Sequence, residues 1–203
     1  MHRGAPFKVL LAFGSNKFDD HHSAVKIIAN SLTSIAQNLG FVQALSKFYK
    51  TPAFPAGSGP DFVNAAAVLQ TNYPSAALLH ELHDVEAGLG RERMRRWGAR
   101  TLDIDLIACG DQIRPSAAVH ERWRTLDLES QMREAPSELI LPHPRLQDRA
   151  FVLLPLCDIA PAWRHPVLGQ TVKEMLDSLP ASALSGIEVL DLDPEIQVGQ
   201  LGN

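Results

Sequence analysis

Apolar residues recur along the chain with two different periods, and the switches between them outline the fold. Residues 7–13 form a short, nearly continuous apolar run, the pattern of a strand buried on both faces. Gly14-Ser15-Asn16 interrupts it. Val25, Ile28, Leu32, Ile35 and Leu39 then trace the stripe of an amphipathic helix, with Gly40 placed to cap it. Residues 41–49 read as a second strand, and residues 51–60, rich in proline and glycine, as a loop. Residues 62–71 make a third strand, whose alternation puts Phe62, Asn64, Ala66 and Val68 on one face. A second helix is expected over about 74–89, with Leu78, Leu82, Val85 and Leu89 as its stripe and Gly90 at its end. Residues 101–108 form a fourth strand, closed by a Gly110-Asp111 turn.

Strand, helix, strand, strand, helix, strand is the order of a split β-α-β unit. The expected class is therefore α+β: a ferredoxin-like β-α-β-β-α-β core with a largely antiparallel sheet and added C-terminal helices. Residues 111–138 are polar and read as an insertion carrying a short helix. Pro142-His143-Pro144 is rigid turn chemistry, and residues 149–157 and 172–179 read as short helices. No repeat or linker divides the chain. One domain over residues 1–203 is expected, with the insertion at about 111–138 and a weakly structured tail at about 194–203.

Composition narrows the picture. Hydrophobic residues make up 45% and charged residues 21% of the 203 positions, which excludes wholesale disorder and suits one substantial core. A net charge of -4 leaves no overall basic footprint, so a nucleic-acid partner is not expected. Cys109 and Cys157, far apart in apolar stretches, form neither a zinc signature nor a disulfide framework. No apolar run approaches the roughly 20 residues of a membrane span, and residues 1–6 are too short and polar for a signal peptide. A cytoplasmic monomer without a membrane partner is expected.

The chemistry concentrates around Asp103 and Asp105. On a strand these two project to one face while Leu102, Ile104 and Leu106 face the other. Carboxylates held that close repel unless a cation lies between them, and magnesium favours such hard oxygen ligands. The spacing alone is weak, because Asp191-Leu192-Asp193 repeats it. Context separates the two: Asp103 and Asp105 directly follow a cationic segment carrying Arg91, Arg93, Arg95, Arg96 and Arg100 against a single acid, Glu92. Guanidiniums beside a metal-binding pair suit a polyphosphate. Trp97 suits either stacking on a planar ligand or core packing. The Gly14-Ser15-Asn16 turn is either a phosphate cradle or a plain strand-to-helix turn. These features fit a two-metal phosphoryl-transfer enzyme and also a non-catalytic, ferredoxin-like small-molecule-binding module.

Arg91 and Arg93, then Arg96-Trp97-Gly98, then Arg100-Thr101-Leu102-Asp103-Ile104-Asp105, closely resemble the signature of the 6-hydroxymethyl-7,8-dihydropterin pyrophosphokinase family. The resemblance continues in Leu11 to Asn16, Tyr49-Lys50-Thr51-Pro52, Asp61-Phe62-Val63-Asn64-Ala65-Ala66, Glu86, Leu89-Gly90-Arg91, Pro142-His143-Pro144, Arg149-Ala150-Phe151 and Ile159-Ala160-Pro161. It covers about residues 7–175, and the shared order of individually weak motifs makes it specific.

The resemblance implies transfer of pyrophosphate from ATP to the pterin's hydroxymethyl group, with release of AMP, in folate biosynthesis. It implies that Asp103 and Asp105 hold two magnesium ions, with Arg91 and Arg100 as catalytic partners. Thr51, Pro52, Phe54, Phe62, Asn64, Trp97 and Phe151 would form the pterin site. Glu86, Arg91, Arg93, Arg96, Arg100, His143 and Arg149 would serve the nucleotide. The segments 51–60 and 91–96 are the candidates to close over bound ligands. The sequence departs from the family at His83, where a glutamine is common, and at Phe62, where a tyrosine is frequent. The insertion at 111–138 and the last 25 or so residues lack a counterpart in compact members.

Overall fold

The computed structural model describes residues 5–17, 20–53, 59–90 and 101–192. Strands β1 (Phe7–Ser15), β2 (Phe41–Leu45), β3 (Tyr49–Thr51), β4 (Phe62–Thr71) and β5 (Asp103–Cys109) form one antiparallel sheet. β4 pairs with β1 on one side and with both β2 and β3 on the other, while β5 pairs with the far side of β1. A two-residue strand, β6 (Glu188–Val189), extends the sheet beyond β3.

Helices cover both faces. Val9, Leu11 and Phe13 of β1 and Ile104 and Leu106 of β5 share one core with α1 (His21–Asn38) and α2 (Ser75–Gly88). Leu10, Ala12, Ala66 and Val68 share the opposite core with α5 (Ala150–Ile159) and α6 (Val172–Asp177). Burial on two faces explains why the middles of β1 and β4, residues 9–13 and 65–69, are continuously apolar rather than alternating. Asp20 caps α1 by accepting the Ser23 N–H at 2.7 Å. Gly90, at φ 85°, takes the left-handed conformation just past α2 that favours glycine.

Four details differ from the sequence expectation. The strand expected at 41–49 is two strands, because Ser46 leaves the ladder: its hydroxyl accepts the Ala66 N–H at 2.8 Å in place of a backbone carbonyl. Thr51 belongs to β3 rather than to the following loop. The insertion carries two helices, α3 (Ala117–Arg124) and α4 (Leu128–Arg133), capped by Ser116 and Asp127. The short β6 was not expected at all. The tail expected at 194–203 lies outside the described residues. Among the described residues, no helix is long and apolar enough to cross a membrane.

Two histidines, His120 on α3 and His165 before α6, are fully buried, with ring centres 5.6 Å apart. Burial lowers the pKa of both and pushes His165 down to about 4. The unfolded chain therefore takes up these protons first as pH falls. The stability these two histidines contribute should be level above about pH 6.5 and fall between there and about pH 4, with His165 alone accounting for up to about 3 kcal/mol. Urea unfolding across that range should show the drop, and His165→Phe should make it smaller while His120 and His143 sustain the remainder.

Candidate active site

The burial of Ile104 and Leu106 against α1 and α2 turns Asp103 and Asp105 toward the α5 face of the sheet. Strand register then sets their neighbours. Asp103 lies opposite Gly14, Gly14 opposite Asn64, and Asn64 opposite Tyr49, a single row across the sheet. Asp105 lies opposite Ala12 in the next row. Gly14 keeps the floor of the row open: a Cβ there would sit 3.2 Å from Asn64 Oδ1 and 3.8 Å from the Phe62 ring. Asn64 is buried and donates from Nδ2 to Thr51 Oγ1 at 2.6 Å. Tyr49 donates to Asp158 Oδ2 at 2.9 Å, which docks α5 on the strand carrying Thr51.

The approaches to the acidic pair are pinned by hydrogen bonds. Glu86 Oε1 accepts the Ile104 N–H at 2.7 Å, fixing β5 to the last turn of α2. Ser15 Oγ donates to Thr101 O at 2.7 Å, and Thr101 Oγ1 donates to Gly90 O at 3.2 Å. Gly90 and Thr101, the described residues that flank 91–100, are thus joined to each other and, through Ser15, to β1. Asn16 Nδ2 donates to Pro60 O at 3.4 Å, tying the end of the 51–60 loop to the same turn.

Cationic and polar groups flank the pair. Arg149 Nη1 lies 3.9 Å from Asp105 Oδ2, and the same guanidinium lies 5.5 Å from the centre of the exposed Phe151 ring. His143 sits in the turn before α5, its N–H donating to Ile107 O at 2.8 Å. Burial, then the charges of Arg149 and Arg145, push its pKa down to about 3 despite the pull of Asp103. His143 is therefore neutral at physiological pH. Its Nδ1 accepts the Arg145 N–H at 3.2 Å, so the ring keeps Nε2–H as a donor.

A cleft of about 590 Å³ opens beside the pair. Asp103, Asp105, His143 and Arg149 line it together with His83 of α2, Trp123 of α3 and residues 134–140, most of them in the insertion. No group of three or more His, Cys, Asp or Glu side chains capable of holding a metal occurs among the described residues. A cation at the pair must complete its shell from ligand and water, which is how magnesium binds in phosphate-transferring sites. The two hard carboxylates fit that ion.

The structure thus gathers Asp103, Asp105, Asn64, Thr51, Phe62, His143, Arg149 and Phe151 at one end of the sheet. Pro52 follows β3 and is exposed. Glu86 faces the other side of β5 and does not line the cleft. Phe54, Arg91, Arg93, Arg96, Trp97 and Arg100 lie outside the described residues. Sequence reasoning missed Gly14 as a floor residue, which only the cross-strand register reveals. It also did not single out Trp123 and residues 134–140 as cleft-lining residues, because a polar stretch carries no periodic signal.

The family model for 7,8-dihydro-6-hydroxymethylpterin-pyrophosphokinase matches residues 10–161. The chain belongs to this family. It is 33% identical over 182 residues to the 2-amino-4-hydroxy-6-hydroxymethyldihydropteridine pyrophosphokinase of Methylorubrum extorquens, spanning 89% of this chain and 99% of that one. It is 37% identical over 147 residues to the Pseudomonas aeruginosa enzyme of the same name, spanning 72% and 76%. With the Synechocystis protein of that name the identity is 34%, over 70% of this chain but only 63% of its relative. The structure of wild-type Plasmodium falciparum HPPK-DHPS with pterin and p-hydroxybenzoate shares the fold, helices on an antiparallel sheet, at a TM-score of 0.57 and 17% identity, over 87% of this chain and 44% of that one.

The Glu86 contact makes a prediction for this family member. Glu86→Ala should cost about 1–3 kcal/mol in denaturant unfolding, because it strands the buried Ile104 N–H. A residue acting only on a ligand would leave unfolding unchanged.

Proposed function

We propose that the chain transfers the terminal pyrophosphate of ATP to the hydroxymethyl group of 6-hydroxymethyl-7,8-dihydropterin, giving AMP and the pterin diphosphate in folate biosynthesis. Family membership supports this reading, and one observation carries it at the site. Asp103 and Asp105 project together onto the α5 face, between an open row ending in a buried amide and a cleft of nucleotide size.

The row suits the pterin. Gly14 gives a flat floor, and Phe62 and Phe151 supply aromatic surface. Asn64 spends one donor on Thr51 and keeps Oδ1, beside Gly14, as an acceptor for the pterin's edge. By resemblance, Trp97, Phe54 and Pro52 complete this side. The cleft suits ATP. Arg149 and the Nε2–H of neutral His143 meet phosphate oxygens, joined by Arg91, Arg93, Arg96 and Arg100. Glu86 serves the nucleotide side through the strand it holds.

Asp103 and Asp105 would hold two magnesium ions, which would supply neutralisation of the charge on the triphosphate. The remaining work is positioning: the chain brings the pterin hydroxyl in line with the β-phosphorus and the departing AMP oxygen. We read the sheet order, with β4 between β1 and β2 and β1 between β4 and β5, as ferredoxin-like. We also read the protein as one domain and a cytoplasmic monomer, with no nucleic-acid or membrane partner.

Asp103→Asn and Asp105→Asn test the reading. Each should lower AMP formation about a thousandfold or more while leaving pterin affinity, by calorimetry, within about threefold. Undiminished turnover in either variant would overturn it. Phe151→Ala should show the reverse pattern, weakening pterin binding about tenfold.

A further inference from the structure

Two polar side chains are sealed in the protein away from the site's own chemistry: His120 on α3, inside the insertion, and His165, in the turn between α5 and α6. The hydrogen bonds around them fix where each neutral ring carries its proton. His120 Nε2 lies 3.1 Å from Pro142 O, which can only accept, so Nε2 holds the proton and Nδ1 presents a lone pair. His165 Nδ1 accepts from Val167 N at 3.1 Å and Leu168 N at 3.2 Å, so its proton sits on Nε2.

His120 Nδ1 and His165 Nε2 are therefore one acceptor and one donor. Both are buried, and neither has a hydrogen-bond partner among the described residues. Leaving either unmatched in the interior is costly. The two ring centres stand 5.6 Å apart. A nitrogen–nitrogen hydrogen bond of about 3 Å sets two imidazole centres roughly 5 Å apart, so a small adjustment satisfies both atoms at once.

We propose that His165 Nε2–H donates to His120 Nδ1, and that the resulting relay makes both histidines positioning residues for the nucleotide side of the active site. It runs from the backbone N–H groups of Val167 and Leu168 through both rings to the Pro142 carbonyl. The next residue, His143, lines the cleft and is held from its other side by Ile107 on β5. The relay clamps the back of that turn. It also gives the insertion a role at the site, because α3, latched through His120, carries Trp123 to the cleft wall three residues further on. The kinetic consequence rests on the pyrophosphokinase reading, whereas the relay itself does not.

Two measurements on the full-length protein test this. Long-range ¹H–¹⁵N spectra of the imidazoles should find both rings neutral at pH 7, protonated on Nε2, with a His165 Nε2–H slow to exchange. A His120 ring protonated on Nδ1, or a rapidly exchanging His165 proton, would overturn the relay. His165→Asn keeps an acceptor for the Val167 and Leu168 N–H groups but is too short to reach His120, and His120→Gln keeps a donor for Pro142 O. Both variants should raise the KM for ATP about tenfold while the pterin KM and the kcat of the folded fraction stay within about twofold. A purely structural role would reduce the folded fraction without moving KM, so an unchanged ATP KM refutes the positioning role. If the parent protein makes no AMP, the pyrophosphokinase reading fails, and the spectra still decide whether the relay exists.

Discussion

The site depends on the burial of Ile104 and Leu106. These two side chains anchor one face of β5 in the core beneath α1 and α2, and strand geometry then obliges Asp103 and Asp105 to share the other face. A slip of one residue would drive both carboxylates into that core, where an unpaired charge is prohibitively costly. Burial of the two aliphatic groups, about 1.5–3 kcal/mol each, works against such a slip. The Glu86 bond to the Ile104 N–H works the same way. Beyond the pair, a register shift against β1 places Ile107 and Ala108 together in the α5-side core, which ends the polar stretch of that face.

Everything else at the sheet end follows from the same alternation. Because neighbouring strands are antiparallel and in register, a single row carries the acid on β5, the open floor on β1 and the amide on β4. α5 lies across this face, docked by Tyr49 and Asp158, and its first turn brings Arg149 and Phe151 to the acids. The cleft on the other side of the pair is bounded by the insertion. On the proposed reading, the carboxylates stand between a site for a flat, hydrogen-bonding ring and a site for a polyphosphate, the arrangement a transfer between two such substrates needs.

Much of this was legible in the sequence, for identifiable reasons. Helices buried along one stripe, such as α1 and α2, announce themselves by period, β4 by a long apolar run buried on both faces, and strand alternation gave the shared face of Asp103 and Asp105. The break at Ser46 was hidden because its hydroxyl substitutes for backbone within an otherwise strand-like run. β6 is two exposed residues long and carries no pattern. The caps Ser116 and Asp127 could have revealed both helices of the insertion, since each sits three residues before the N–H it accepts. Gly14 as a floor, and the complementary tautomers of His120 and His165, depend on partners distant in the chain, so no local reading reaches them.

The most direct test of pyrophosphoryl transfer is a product analysis. Incubated with ATP, magnesium and 6-hydroxymethyl-7,8-dihydropterin and followed by ³¹P NMR, the protein should release AMP and a pterin diphosphate in equal amounts. Release of ADP with a pterin monophosphate would show that attack falls on the γ-phosphorus and would contradict the arrangement proposed for the site.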